Sequence, residues 1–302
     1  MEHRILNISS VAEYNEMLGV ETLHPLVSVI DLSEAKAMRH MRHTFSFYVI
    51  FLKDEKNCEL IYGRQKYDYQ KGTVVCLAPG QVIGIEDTGE EFQPKGWALC
   101  FDSDIVKGTS FGKSIKEYTF FSYAVNEALH LSDQERTTFI ECLHNIATEL
   151  RHPIDRLSKR LIANSIELLC NYCMRFYERQ FITREISNND VLHRFELLLN
   201  NHFDNSQERN RHIPTVKYCA DKLCLSPNYF GDLIKRETGI TALEYIQRRI
   251  IDHAKDLLLM SGKTISEIAF DLGFEYPQHF TRMFKKITGK TPIEYRRSIV
   301  AN

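Results

Sequence analysis

No stretch of the 302-residue chain approaches the ~18 consecutive apolar residues of a membrane span. The first 25 residues, MEHRILNISSVAEYNEMLGVETLHP, lack the uninterrupted apolar segment of a signal peptide. Eight cysteines are too sparse for a disulfide scaffold, and a chain without a signal is expected to keep them reduced. Also missing are a phosphate-cradling glycine loop, a Gly-x-Ser-x-Gly elbow and a paired Cys/His nucleophile. Secreted, fibrous and integral-membrane classes are thereby excluded, and the chain is expected in the cytoplasm without a membrane partner. What is present is ordinary globular material, 43% hydrophobic and 26% charged, at a length that suggests two domains.

The net charge of −2 is unevenly spread. Residues 1–187 hold 21 Lys+Arg against 26 Asp+Glu, a balance of −5, whereas residues 188–302 hold 17 against 14, a balance of +3. The sign change points the C-terminal part toward a polyanion.

Secondary-structure signals divide the chain in the same place. Leu26–Leu32 and Thr44–Leu52 are β-branched and aromatic runs of strand length; Glu59–Tyr62, Thr73–Leu77, Val82–Ile85 and Gly96–Phe101 follow, broken by Gly and Pro about every ten residues. A small barrel over about 23–105 is expected. Ile115–Leu131, Ser132–Leu150 and Ile154–Phe181 then carry apolar residues at helical spacing, so helices are expected over about 113–182. Ser132-x-x-Glu135 opens the second with a capping box. The polar stretch Thr183–Asp190 has linker composition, followed by a helix over Val191–Phe203 and a charged loop, Asp204–His212. The fold class is α+β, with domains at 1–185 and 190–302.

The last ninety residues contain a duplication. At an offset of 50, Pro227, Phe230, Lys235, Thr238, Gly239, Thr241, Glu244 and Tyr245 recur as Pro277, Phe280, Lys285, Thr288, Gly289, Thr291, Glu294 and Tyr295. Upstream the offset is 49, pairing Thr215, Val216, Ala220 and Leu223 with Thr264, Ile265, Ala269 and Leu272. Each copy reads as helix, turn, helix. Val216, Cys219, Ala220 and Leu223, and likewise Ile265, Ile268, Ala269 and Leu272, make one apolar helix face. Pro227 and Pro277 fit the first position of the second helix, where a missing N–H costs nothing. Gly273 suits the left-handed turn residue, and Cys224 stands there in the first copy at a cost of about 1 kcal/mol. Thr241–Met260 is a 20-residue helical pattern between the copies, about 30 Å long, close to the ~34 Å between successive major-groove faces of B-DNA.

The stretch Thr264–Arg297, TISEIAFDLGFEYPQHFTRMFKKITGKTPIEYRR, closely resembles the signature of AraC/XylS-family transcription regulators. The resemblance covers about 190–302. It implies seven helices with two helix-turn-helix units, sequence-specific binding of promoter DNA through two adjacent major grooves per chain, a homodimer on repeated half-sites, and RNA polymerase as a partner, as for an activator. In the second recognition helix Phe280, Met283 and Phe284 are expected in the core, leaving Gln278, His279, Thr281, Arg282, Lys285 and Lys286 outward. Glutamine pairs with adenine, arginine with guanine, and the threonine methyl with thymine; Lys285 and Lys286 face phosphate or solvent. The corresponding outward set of the first is Asn228, Tyr229, Gly231, Asp232, Lys235 and Arg236. Asp232 either accepts from cytosine N4 or repels phosphate.

The N-terminal region resembles the cupin-like barrel of many such regulators, where small effectors bind; Gly72–Gly80, GTVVCLAPG, carries that likeness. No effector-binding residue can be assigned. The aromatics Phe45, Phe47, Tyr48, Phe51, Tyr62, Tyr67, Tyr69, Trp97 and Phe101 fit a core better than a pocket. Metal-dependent cupins need a His-x-His with further ligands, and His40-Met41-Arg42-His43 offers neither the spacing nor the partner. A non-enzymatic protein without metal or cofactor is expected. The alternatives are a ligand-independent factor whose barrel only dimerises and, further off, a metal-dependent enzyme. Cys170-x-x-Cys173 lies in a helix and reads as packing rather than zinc or redox chemistry. The stripe Ile140, Leu143, Ile146, Ala147 and Leu150 either packs on the barrel or contacts a second copy.

Overall fold

The computed structural model describes residues 5–39, 41–54, 60–62, 65–67, 72–84, 91–124, 127–183, 185–204, 212–260 and 262–300. The chain divides into two compact units, residues 1–183 and 184–302.

The N-terminal unit begins with β1 (Ile5–Ile8) and α1 (Val11–Leu18), neither of them anticipated. The signals were there: Ser10 accepts from the Glu13 N–H at the N-cap, and Gly19 closes the helix at φ 68°. The strands that follow are β2 (Val27–Asp31), β3 (Met38–Arg39), β4 (Arg42–Phe45), β5 (Tyr48–Lys53), β6 (Leu60–Tyr62), β7 (Gln65–Tyr67), β8 (Thr73–Leu77), β9 (Val82–Ile83), β10 (Glu91–Phe92) and β11 (Gly96–Phe101). The segment expected as one strand over Thr44–Leu52 is two. It bends at Ser46–Phe47, where the Ser46 N–H donates to Ile8 O at 3.0 Å, and its halves enter different sheets.

The main sheet has the order β12-β8-β5-β11-β2, with β12 (Leu129–His130) on the edge; a second sheet runs β1-β4-β9, and β10-β3 and β6-β7 are pairs. Among the described residues these sheets do not close into a barrel, though they fit cupin-like sheets; β1 pairs with β4 in parallel, and the other pairs are antiparallel. Alternation places Ile30, Val49, Phe51, Val75, Leu77, Ala98 and Cys100 in one apolar cluster with Phe45 of the second sheet, Phe47 of the bend and Tyr14 of α1. The Tyr14 ring meets Phe45 edge-on at 5.2 Å.

Short helices α2 (Ser103–Val106) and α3 (Ser110–Ser114) follow β11. The helix expected over Ile115–Leu131 is absent. Single 3-10 turns occupy Ile115–Glu117 and Thr119–Ser122, and the segment ends as β12. Four of its apolar residues, Tyr118, Phe120, Phe121 and Tyr123, are aromatic and pack on one another and their neighbours: Phe120 lies on Tyr177 at 5.7 Å, and Phe121 meets Tyr48 at 5.0 Å. That ring cluster fixes the segment without a helix.

Two long helices complete this unit, α4 (Asp133–Glu149) and α5 (Ser158–Thr183). The Ser132/Glu135 capping box forms as expected. Leu143, Ile146 and Leu150 are buried within this unit, which resolves the α4 stripe as internal packing. Two half-buried ion pairs tie α4 down: Arg136 Nε and Nη2 donate to Asp54 at 2.9 and 2.5 Å, and Arg179 Nη2 donates to Glu135 at 2.6 Å. Cys170 and Cys173 are fully buried on α5. Burial pushes the Cys76 and Cys170 thiols well above their usual range, which keeps both protonated.

The C-terminal unit comprises α6 (Glu185–Asp204), α7 (Val216–Lys222), α8 (Pro227–Thr238), α9 (Ala242–Met260), α10 (Ile265–Asp271), α11 (Pro277–Thr288) and α12 (Pro292–Val300). The stretch read as a linker is helical from Glu185. The charged loop lies largely outside the described residues. Phe195 of α6 fills the first half of this core, fully buried against Phe230 at 4.9 Å and Tyr245 at 5.3 Å. Phe274, Phe280, Phe284 and Tyr295 make the matching cluster of the second half.

Candidate nucleic-acid interface

The duplicated sequence folds as two helix-turn-helix units, α7–α8 and α10–α11. Cys219, Ala220 and Leu223 in the first and Ile268, Ala269 and Leu272 in the second are all buried. The alanines let the paired helices cross closely. Burial pushes the Cys219 thiol up to about 12, so it acts as a small apolar residue. Cys224 sits at φ 60° and Gly273 at φ 88°, the left-handed turn residue in both copies. Ser226 caps α8 by accepting from the Tyr229 N–H at 3.2 Å, and a proline follows at the first turn of α8 and of α11.

The connector α9 is fixed at both ends. At its start Glu244 N–H donates to Thr241 Oγ1, and Tyr245 Oη donates to Glu196 at 2.5 Å. Burial and this carboxylate push the Tyr245 hydroxyl up to about 12. Toward its end Arg296 of α12 donates to Leu258 O at 3.0 Å, a carbonyl that the helix terminus leaves open, and to Lys263 O at 2.8 Å in the turn before α10. Nineteen residues at ~1.5 Å each give a strut of about 28 Å between the two helix-turn-helix units. Complete capping boxes at Thr264/Glu267 and Thr291/Glu294 fix the starts of α10 and α12. Hydrogen bonds from the threonine N–H hold both carboxyls below the usual carboxylate range.

On α11 the outward set is largely where the sequence places it. Gln278, His279, Arg282, Lys285 and Lys286 are exposed, and Phe280 and Phe284 are fully buried. Met283, expected in the core, is half-buried. Thr281 is half-buried too, its Oγ1 donating to Pro277 O at 3.1 Å, which turns the methyl away from its own helix turn. Gln278 and Arg282 are one turn apart on the same face. Tyr276, half exposed just before α11, packs edge-on to His279 at 5.5 Å and extends this surface; sequence reasoning did not single it out.

The first recognition helix, α8, differs in one respect. Tyr229, expected outward, is buried at 5% exposure. Its ring gains more from apolar contact beside Phe230 than a polar surface returns, whereas His279 at the same register stays in solvent. Asn228, Lys235 and Arg236 are exposed, and Gly231 and Asp232 are half-buried on the outward side. Among the described residues no group of His, Cys, Asp and Glu is arranged to hold a metal ion, and no helix is long and apolar enough to cross a membrane.

A family of helix-turn-helix domains matches residues 219–298. The chain is 41% identical over 86 residues to the uncharacterized transcriptional regulatory protein YesN of Bacillus subtilis, covering 28% of this chain and 23% of YesN. It is 26% identical over 227 residues to the uncharacterized HTH-type transcriptional regulator YijO of Escherichia coli, covering 75% and 76% of the two chains. To the arabinose operon regulatory protein of Escherichia coli it is 33% identical over 93 residues, 31% of each chain. The chain thus spans less than a third of the length of YesN and of the arabinose regulator. The duplicated helices, the matched domain and the two short high-identity matches agree: the C-terminal unit is a helix-turn-helix domain of the AraC/XylS type.

Proposed function

We propose that this chain is a sequence-specific, double-stranded-DNA-binding transcription regulator and not an enzyme. One observation carries the reading: a strut of about 28 Å holds two recognition helices, whose outward residues are those that read base edges and neutralise phosphate. Gln278, Thr281 and Arg282 with Asn228, Gly231 and Asp232 face bases. His279, Lys285, Lys286, Lys235 and Arg236 face the sugar-phosphate backbone. Tyr229 acts from the core by seating α8. The domains that divide this work are 1–185 and 190–302.

The test is selection from a random duplex library with the full chain, followed by binding to the enriched site across a salt series. An enriched bipartite site of two elements one helical turn apart is expected, with log Kd rising linearly in log salt at a slope of roughly 0.9 per phosphate contacted. Enrichment of no sequence refutes the reading.

The N-terminal unit serves sensing and self-association. Inside its apolar cluster His43 is 7% exposed, and its Nδ1 lacks a hydrogen-bond partner. That unpartnered nitrogen is the position proposed for the polar group of a small effector. Self-association is assigned to α5: Leu161 and Leu168 lie one heptad apart on one face, each about half exposed, with the exposed Ile154 and Leu157 just before the helix and Ile182 near its end. A homodimer through this face doubles the DNA contacted. Leu161→Glu together with Leu168→Glu yields a folded monomer by sedimentation, and an unchanged dimer removes α5 from the interface. RNA polymerase is the downstream partner, and the cytoplasm is the place of action.

A further inference from the structure

Glycine is the poorest helix former after proline, because it has the most backbone freedom to lose. Among the described residues two glycines lie in helical spans, Gly112 and Gly231. The first is required by the fold, since a β-carbon there would fall 2.2 Å from Val106 O. Gly231 is not. It has no positive φ, and a β-carbon built on it would meet nothing within 4 Å. It lies mid-helix on the outward side of α8, and its partner in the duplication, Thr281, carries a branched side chain at the same register. Nothing inside the molecule asks for glycine here.

The flanking positions show the same contrast. Asn228 is one methylene shorter than Gln278, and Asp232 ends three bonds sooner than Arg282. At every base-facing position of the first recognition helix the side chain is shorter than its counterpart in the second. Short side chains reach base edges only when the helix backbone itself comes close.

We propose that Gly231 is a point of close approach, where the α8 backbone meets the major-groove edge of the duplex and the first helix-turn-helix reads bases from a shorter distance than the second. The inference rests on the DNA-binding reading above. At that distance Asn228 pairs with adenine and Asp232 accepts from cytosine N4, while α11 spans a wider gap with Gln278 and Arg282 toward adenine and guanine. Gly231 is thus a specificity-determining residue that acts by leaving space, and Asp232 is held off phosphate because its helix sits deep enough to offer it a base.

The experiment uses the full chain and the duplex enriched by the wild type, at one fixed salt concentration. Gly231→Ala is expected to raise the melting midpoint of the C-terminal unit by about 2–4 °C and to weaken binding to the enriched duplex at least tenfold. Asp232→Glu, one methylene longer, weakens binding in the wild type but partly restores it in the Gly231→Ala background, where the helix stands farther from the bases. This reversal of sign depends on distance and not on folding, so it reads the proposal even where the alanine variant is less stable than expected. Binding of Gly231→Ala within twofold of wild type overturns the proposal, as does Asp232→Glu acting in the same direction in both backgrounds. A wild-type chain that enriches no sequence refutes the DNA-binding reading itself, whereas enrichment with indifference to Gly231→Ala refutes only close approach.

Discussion

Replacing Cys224 by glycine stabilises the C-terminal unit. Cys224 is the one non-glycine residue at positive φ among the described residues, at 60°, in the turn between α7 and α8. Its side chain is exposed, and its N–H donates to Asp221 O at 3.2 Å, so the thiol contributes little burial while the backbone geometry is kept. An L-residue in the left-handed region costs ~1–2 kcal/mol, because its β-carbon crowds the following carbonyl. Glycine removes that cost but gains freedom in the unfolded chain, which offsets ~0.4–1 kcal/mol. The difference leaves a net gain of ~0.5–1 kcal/mol, or about 2–5 °C in the midpoint of the C-terminal transition. The second copy supplies the precedent, with Gly273 at φ 88° in the same place. Thermal and urea unfolding of the full chain, with Cys224→Ala as control, checks the reasoning: alanine keeps the β-carbon and should gain nothing. A glycine variant that melts with or below wild type refutes it. So would an alanine variant that matches the glycine, since the gain would then come from losing the thiol.

Arg282→Ala is expected to cost ~1–3 kcal/mol in binding the enriched duplex and to relax preference at one base pair, read by repeating the selection with the variant; unchanged affinity and preference remove Arg282 from the base contacts. In the N-terminal unit, Arg136→Ala breaks a two-point contact with Asp54 that is less than a third exposed on either side, for ~1–2 kcal/mol. A double-mutant cycle with Asp54→Asn measures the coupling, and a value near zero makes the pair dispensable. Burial holds the His43 imidazole below its ordinary pKa, so the unfolded chain takes up a proton at higher pH than the native one. Stability from this group is fully present above the unfolded value of about 6.5 and is lost as pH falls through it toward the folded value. The midpoint of the N-terminal transition should therefore drop between pH 7.5 and 5.5, and His43→Phe should flatten that drop; a slope unchanged by the substitution assigns it elsewhere.

How much of this was legible in the sequence depended on which signal each segment carried. Strands β8 and β11 fall on the expected residues because turn residues mark their ends: Gly72 precedes β8 and Pro79-Gly80 follows it, and Gly96 opens β11. The Ser132/Glu135 pair placed the start of α4 because a hydroxyl three residues before a glutamate is a local device that tertiary context rarely overrides. Apolar spacing alone did worse. Over Ile115–Leu131 it matched a helix, yet Tyr118, Phe120, Phe121 and Tyr123 bury their rings from 3-10 turns, since ring-on-ring packing satisfies them without helical periodicity. Over Thr44–Leu52 a continuous apolar run concealed the bend that sends β4 and β5 into different sheets. Polarity misled in the opposite direction: the residues after Thr183 read as a linker and are helical. The Gly231 contrast was visible in the sequence, but only the open space around its α-carbon separated an unneeded glycine from a required one.

The duplication makes the candidate interface interpretable because each copy is a control for the other. Positions that the fold constrains have stayed alike: Phe230 and Phe280 are both fully buried, Gly239 and Gly289 both end their helices at positive φ, and Thr238 and Thr288 both donate back to a carbonyl four residues earlier. The three positions assigned to base edges have diverged in one direction, Asn228, Gly231 and Asp232 each being shorter than Gln278, Thr281 and Arg282, whereas Lys235 recurs as Lys285 and Arg236 is longer than Lys286. If the three were merely solvated, their differences would be unordered in length. Tyr229 marks the limit of the comparison. Its partner His279 is exposed, so register alone assigned Tyr229 to the wrong side; the repeat fixes which way a helix faces, and side-chain chemistry decides whether a residue near the boundary goes in or out. Asn228, Gly231 and Asp232 are too polar or too small for that choice to arise, and under the proposed close approach a base edge accounts for their being short.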